Sequence, residues 1–288
     1  MKISKILKTN DEKGINTFSC ELFPPKKGEE LPKSIEVVRG TAALDPDFIS
    51  ITYGAAGTTA SFTAELADEV ERQNVTALAH VTCVSSDMKS LHEYLAFLKT
   101  RGVDNILALR GDMPEGREPK TVFKYASDIA REIKSFGDFC VGGACYPEGH
   151  PESPSKEKDL EALKIKSESG CEFFTTQMFF DNTKLYEFAE KLRAIGVDTP
   201  IVCGIMPLLT VKQMARTVAL SGGTAMPKEL LDAAEKFEND PESMRAFGLD
   251  FATRQIKDLL GNGFNHIHIY TMNKPETAKA LMSPFGRG

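Results

Sequence analysis

The sequence predicts an α/β fold, a (β/α)8 TIM-type barrel forming one domain over residues 1–288. Three observations carry that expectation. Eight short apolar runs alternate with longer amphipathic stretches, the period of strands and helices in turn. Dividing 288 residues among eight repeats gives about 36 each, the size of one strand–loop–helix–loop unit. An open doubly wound sheet alternates in the same way but usually stops at five to seven strands.

The elements follow in order. MKISKILKTNDEKG opens the chain with Ile3, Ile6 and Leu7 at helical spacing, so a short amphipathic helix is expected there. The strands are TFSCELF (17–23), DFISITY (47–53), TALAHVTC (76–83), NILALR (105–110), FCVGGACY (139–146), FFTTQMF (173–179), PIVCGIM (200–206) and HIHIYTM (266–272). Between them lie SIEVVRGTAA, TAELADEVERQ, MKSLHEYLAFLKTR, YASDIAREIKSF, KDLEALKIKSES, TKLYEFAEKLRAI and VKQMARTVALSG, with KPETAKALM after the eighth strand. The alternation is broken between strands seven and eight. There the span from about 222 to 262 adds helical sequence in PKELLDAAEKFE and ESMRAFGLDFATRQIKDLL.

Composition narrows the function classes. Hydrophobic residues make up 41% and charged residues 26%, enough for one large core and against disorder. The net charge of −6, with both signs interspersed, argues against a nucleic-acid partner. No apolar run is long enough for a signal peptide or a membrane span, so a cytoplasmic protein without membrane contact is expected. Six cysteines, at 20, 83, 140, 145, 171 and 203, lack C-x-x-C spacing and fit neither a zinc site nor a disulfide framework. They read as reduced packing residues.

A barrel of this type works at the C-terminal ends of its strands. Glu21 ends strand one, Thr52-Tyr53-Gly54 strand two, and His80 and Thr82 strand three. Leu109-Arg110-Gly111-Asp112 ends strand four, and Tyr146 to Pro151 follows strand five. Gln177 lies on strand six, and Tyr270 ends strand eight with Lys274 beyond. Each has a plainer reading. Glu21 fits a rim carboxylate paired to a lysine, Arg110 and Asp112 a structural ion pair, and His80 a hydrogen-bonded core histidine. His266 and His268 share a strand face as a metal pair would, but no third ligand is evident, so no metal is expected. Gly111 favours function, because glycine permits close backbone approach to a ligand.

Eight segments, CELFPP, ITYGA, AHVTC, LALRGD, YASDI, ACYPEGHPES, TTQMFFD and HIYTMNK, resemble in matching order the motifs of the methylenetetrahydrofolate reductase family. The resemblance runs from about residue 17 to 275. It implies a barrel that binds FAD at its C-terminal face without a dinucleotide-binding fingerprint, and no G-x-G-x-x-G follows a strand here. It implies that Tyr53, Ala55, His80, Leu109, Arg110, Gly111, Asp112, Tyr125, Ala126, Tyr146 and His150 hold FAD, with Asp159 and Lys166 near its ribose and phosphates. Thr52, Asp112 and Gln177 would face the nicotinamide or folate, and Gln213 and Lys274 would help hold methylenetetrahydrofolate. Glu21 matches the proton donor. The electron donor would be NADH, NADPH or a partner protein, and the family's habit allows a homo-oligomer.

The chain departs from the family pattern in places. Ala162 and Ile165 stand where polar and basic residues are expected, Thr217 where a ring-stacking Phe is expected, and Lys274 where an Arg is. Losing the ring should slow or weaken the use of NADH. The Lys keeps the charge but not the bidentate fork.

The implied chemistry is ping-pong. A donor reduces FAD and leaves, and methylenetetrahydrofolate takes its place. Glu21, whose apolar neighbours should favour its neutral form, is the acid that opens the folate ring, while an ionised Asp112 favours the resulting cation. An aldolase-type barrel would want a lysine inside a strand, and the strand interiors have none. A flavin-holding subunit fed by a partner protein stays open as the alternative.

Overall fold

A computed structural model describes residues 1–53, 60–112, 122–220 and 224–288, with side chains for all of these but 218–220. The apolar runs become strands β1 (Thr17–Leu22), β2 (Phe48–Ile51), β3 (Thr76–Thr82), β4 (Asn105–Leu109), β5 (Cys140–Cys145), β6 (Cys171–Thr176), β7 (Ile201–Ile205) and β8 (His266–Tyr270). They close in sequence order, β8 pairing back onto β1, and every pairing is parallel. This is the expected (β/α)8 barrel.

Eleven α-helices lie among the described residues: α1 (Ile3–Lys13), α2 (Leu31–Ala42), α3 (Ala60–Arg72), α4 (Met88–Lys99), α5 (Ala126–Phe136), α6 (Lys156–Glu168), α7 (Asn182–Ala194), α8 (Val211–Leu220), α9 (Lys228–Lys236), α10 (Pro241–Gly261) and α11 (Pro275–Met282). Several starts carry side-chain caps. Asp87 accepts from the Ser90 N–H at 2.8 Å before α4, and Asp240 from the Ser243 N–H at 3.1 Å before α10. Each satisfies a backbone donor that the first turn leaves unpaired.

The barrel interior is divided by polarity. Phe48, Leu78, Leu107, Cys140, Phe173 and Val202, one from each of β2 to β7, form a buried cluster with Ile3 and Leu7 of α1. The first helix therefore plugs the N-terminal mouth, and the Ile3 N–H donates to Asn105 Oδ1 at 2.8 Å. Large and small residues interlock there. A Cβ on Gly142 would sit 2.4 Å from the Phe173 ring, so β5 has room for that ring only as glycine. Towards the C-terminal ends the lining turns polar, with Ser19, Ser50, His80 and His268 all buried.

Boundaries differ from expectation where polar residues sit in strands. The sixth strand begins at Cys171, two residues early, because Glu172 is held by Ser4 and Lys134. Tyr125 is the N-cap of α5 rather than part of it, its N–H bound by Asp128 Oδ2 at 2.9 Å. The added helical sequence before β8 forms α9 and α10.

Candidate active site

Alternation along the strands puts one set of polar side chains inside the C-terminal half of the barrel. Glu21 at the end of β1 lies in register with Ser50 on β2 and Tyr270 on β8. Its side chain is 22% exposed, and its Oε2 lies 3.8 Å from His80 Nε2 and 3.7 Å from His268 Nε2. Each imidazole is held by a serine: His80 Nε2 lies 2.5 Å from Ser50 Oγ, and His268 Nδ1 lies 2.8 Å from Ser19 Oγ.

The hydrogen bonds assign a tautomer to His268. The Ser19 hydroxyl donates to the Ile267 carbonyl at 3.1 Å, which uses its one proton. Ser19 must therefore accept from His268 Nδ1–H, and in the neutral ring Nε2 presents a lone pair to Glu21. Burial lowers His80 to about 4, with Glu21 opposing the shift and His268 adding to it. The Tyr270 hydroxyl donates to the Thr176 carbonyl at 2.7 Å, and burial pushes it well above the usual range.

The β4 end forms a second part of the rim. Gly111 has φ +80°, and a Cβ there would lie 2.6 Å from Val84 Cγ2. Any side chain there would be strained and would have to displace Val84 or Thr82. Beside Gly111 the Thr82 hydroxyl is buried without a hydrogen-bond partner among the described residues. The Arg110 guanidinium forks onto Glu152 (Nη1 to Oε2 2.5 Å, Nη2 to Oε1 2.9 Å) rather than onto Asp112, which is exposed. Leu109 packs against the inner apolar cluster.

After β5, Tyr146 meets His150 edge-on at 4.5 Å, and burial pushes Tyr146 up to about 12. His150 Nδ1 accepts from the Glu152 N–H at 3.1 Å, and the His150 N–H donates to Asp159 Oδ2 at 3.1 Å. Lys166 reaches back to the Ala144 carbonyl at 2.8 Å, and burial lowers its pKa. Ala162 and Ile165, on the same helix, are exposed. Tyr146, Glu148, His150, Gln177, Met178 and Thr224 line one cleft at these strand ends.

Other expected residues are placed around this ring. Thr52 and Tyr53 follow β2, with Tyr53 edge-on to Tyr94 at 5.5 Å. Ala55 lies outside the described residues. Tyr125 is exposed and Ala126 buried at the start of α5. Gln177 donates its N–H to the Cys145 carbonyl at 2.7 Å. Gln213 spends both ends of its amide on the preceding segment, donating to the Pro207 carbonyl at 2.9 Å and accepting from the Leu209 N–H at 3.0 Å. Thr217, further along α8, is buried.

Lys274 caps α11 after Met272 and Asn273, both with positive φ. Asn273 holds that turn by bonding both the N–H and the carbonyl of Phe23, at 2.9 Å each. His266 and His268 part company. His266 sits 2.9 Å from Thr17 Oγ1 and 3.1 Å from Asp11 Oδ2 at the plugged end. Among the described residues no three histidine, cysteine or carboxylate side chains gather to hold a metal. Sequence reading missed Ser19 and Ser50, which lie outside the eight motif segments, and passed over Glu152, which lies inside ACYPEGHPES.

Fold and ring together define a TIM-type barrel with a polar cluster at its C-terminal strand ends, where enzymes of this architecture carry their chemistry. The chain matches the methylenetetrahydrofolate reductase family over residues 3–286, and it belongs to that family. It is 32% identical over 270 residues to the 5,10-methylenetetrahydrofolate reductase of Pectobacterium carotovorum subsp. carotovorum, covering 93% of this chain and 89% of that one. It is 33% identical over 302 residues to methylenetetrahydrofolate reductase (NADH) 1 of Arabidopsis thaliana, covering 99% of this chain. Only 51% of that plant protein is covered, so the chain spans about half its length. In structure it is similar to a Clostridium thermocellum protein described as binding two copies of 5-methyl-5,6,7,8-tetrahydrofolic acid. The TM-score is 0.66 at 14% identity, with 97% of this chain and 98% of that one covered, a likeness of fold. No described helix is long and apolar enough to cross a membrane.

Proposed function

We propose that this chain reduces the methylene bridge of 5,10-methylenetetrahydrofolate to a methyl group, with FAD as its cofactor. The observation that carries the reading is Glu21, a carboxylate at the end of β1 facing two imidazoles in a barrel of this family.

The donor set fits a flavin dinucleotide. Arg110 and Lys166 supply two cations for a pyrophosphate, near a Thr82 hydroxyl that has no hydrogen-bond partner among the described residues. Tyr53, His80, Leu109, Tyr125, Ala126, Tyr146, His150 and Asp159 complete the proposed set. Reduced FAD, when bound, supplies a hydride.

The protein's own part is proton and charge management. The methylene carbon accepts hydride only after one of its C–N bonds opens, leaving an iminium cation. Glu21 gives its proton to the departing nitrogen and becomes a carboxylate. Asp112, exposed at the rim, favours the cation electrostatically. Thr52 and Gln177 orient the ring, and Lys274 meets a folate carboxylate. Gln213 helps only if it exchanges one of its bonds to the 207–209 segment for one to folate.

The test is the absorbance spectrum of the purified protein. It should be yellow, release FAD, bleach on anaerobic NADH and recover on adding methylenetetrahydrofolate. A colourless protein that takes up no FAD overturns the reading. FMN alone would remove Asp159 and Lys166 from it. A flavin that NADH leaves oxidised, but that folate reoxidises after dithionite, would pass the donor role to NADPH or a partner protein and implicate Thr217.

A further inference from the structure

We propose that Ser50 is a positioning residue that keeps His80 from pairing with Glu21, so that Glu21 stays able to carry the proton its reaction needs. This rests on the function proposed above.

The geometry is specific to one atom. His80 Nε2 is the ring nitrogen that approaches Glu21 Oε2, at 3.8 Å, and the same nitrogen lies 2.5 Å from Ser50 Oγ. Whichever tautomer the ring adopts, the hydroxyl occupies the nitrogen that faces the carboxylate. Ser50 and Glu21 are register partners on adjacent strands, so the backbone fixes the hydroxyl beside the acid. Ser50 is completely buried and His80 is 4% exposed, so bulk solvent has little access to either.

The surroundings define the consequence. Around Glu21 the titratable groups among the described residues are His80 from β3, and His268 and Tyr270 from β8. From β2 comes only Ser50, which has no charge. Tyr270 stays neutral because burial pushes it upward. Burial also disfavours the imidazolium form of His80, and Glu21 is the group that opposes this. An imidazole released from Ser50 has the Glu21 carboxylate 3.8 Å from the freed nitrogen. Closing that gap would make an imidazolium–carboxylate pair, which holds the carboxylate ionised and unable to give a proton. An opposite charge at such a distance shifts a carboxylate downward by about one to three units.

The experiment measures both half-reactions against pH by rapid mixing, with flavin saturating and dithionite as reductant where needed. In the parent, reoxidation by methylenetetrahydrofolate falls as pH rises, marking loss of the acid. Ser50→Ala should move that limb down by about one unit or more, a loss of roughly tenfold at a pH above it. Reduction of the flavin by its donor should stay within a few-fold.

The double variant Ser50→Ala/His80→Gln should return the limb to the parent's position, whatever it loses in flavin affinity. His80→Gln alone gives a second route should Ser50→Ala not fold, since the limb should then stay in place. A limb unmoved by Ser50→Ala overturns the proposal. So does a double variant as displaced as the single one, or a limb that His80→Gln moves by a unit. A parent that folate does not reoxidise overturns this proposal and the function together, whereas a working parent with an unmoved variant overturns only this one.

Discussion

On the proposed mechanism Glu21 holds a proton while folate binds and loses it as the ring opens, so that only the folate half-reaction would use that proton. Glu21→Gln keeps the size and polarity of the side chain but removes the acid. Loss of a general acid slows a step by about 10²–10⁴. Reoxidation by methylenetetrahydrofolate should therefore fall at least about a hundredfold, while FAD binding and reduction by the donor stay within a few-fold. Stopped-flow traces of each half separate the outcomes. Equal losses in both would make Glu21 a shaper of the pocket, and no loss in the folate half would place the acid elsewhere. The carboxylate itself was legible in sequence, because a charged residue inside an apolar strand stands out. Ser19 and Ser50 were not. Small polar residues in strands look like filler until register sets one beside an imidazole. The partner of Arg110 was equally hidden, since the guanidinium pairs with Glu152, 42 positions away, and not with the neighbouring Asp112 of its plainer reading.

At the scale of elements, periodicity found every strand and nearly every helix start to within a few residues. It could not find how α10 docks. Gly248 is buried in that helix, and a Cβ there would lie 2.1 Å from the Leu208 carbonyl oxygen. Sequence reading would count this glycine as a weakness, since alanine is about 1 kcal/mol better in a helix interior. The contact reverses the sign. Gly248→Ala should lower stability by about 1–3 kcal/mol, as overpacked sites do. It should also disturb the 207–209 segment that anchors the Gln213 amide. Thermal melts with and without flavin, and titration of folate onto oxidised protein, test both parts. A variant more stable than the parent would mean that α10 moves freely over the segment.

For the whole molecule, the barrel divides labour between its ends. The C-terminal ends carry the exposed rim and the Glu21 cluster, and the N-terminal mouth is closed by α1. The hydrophobic spacing of Ile3, Ile6 and Leu7 announced an amphipathic helix, but not that its apolar face would fill the barrel's end. Such a destination depends on closure of the sheet, which no local pattern encodes. Ile3 and Leu7 are fully buried against residues from six strands. Leu7→Ala should destabilise the fold by about 2–5 kcal/mol, the range for a leucine cavity that relaxes only in part. Its effect should stop there. The cavity lies at the mouth opposite the rim, so FAD affinity should stay within about twofold. Saturating FAD should then raise the stability of parent and variant by the same increment, about 2.7 kcal/mol at a hundred times Kd. Denaturant melts at several FAD concentrations give both quantities at once. A Leu7→Ala protein with parent-like stability would remove α1 from the core. A loss of FAD affinity beyond about tenfold would mean that packing at the plugged end is felt across the barrel, through the Phe48–His268 stack that links the apolar layer to the Glu21 cluster.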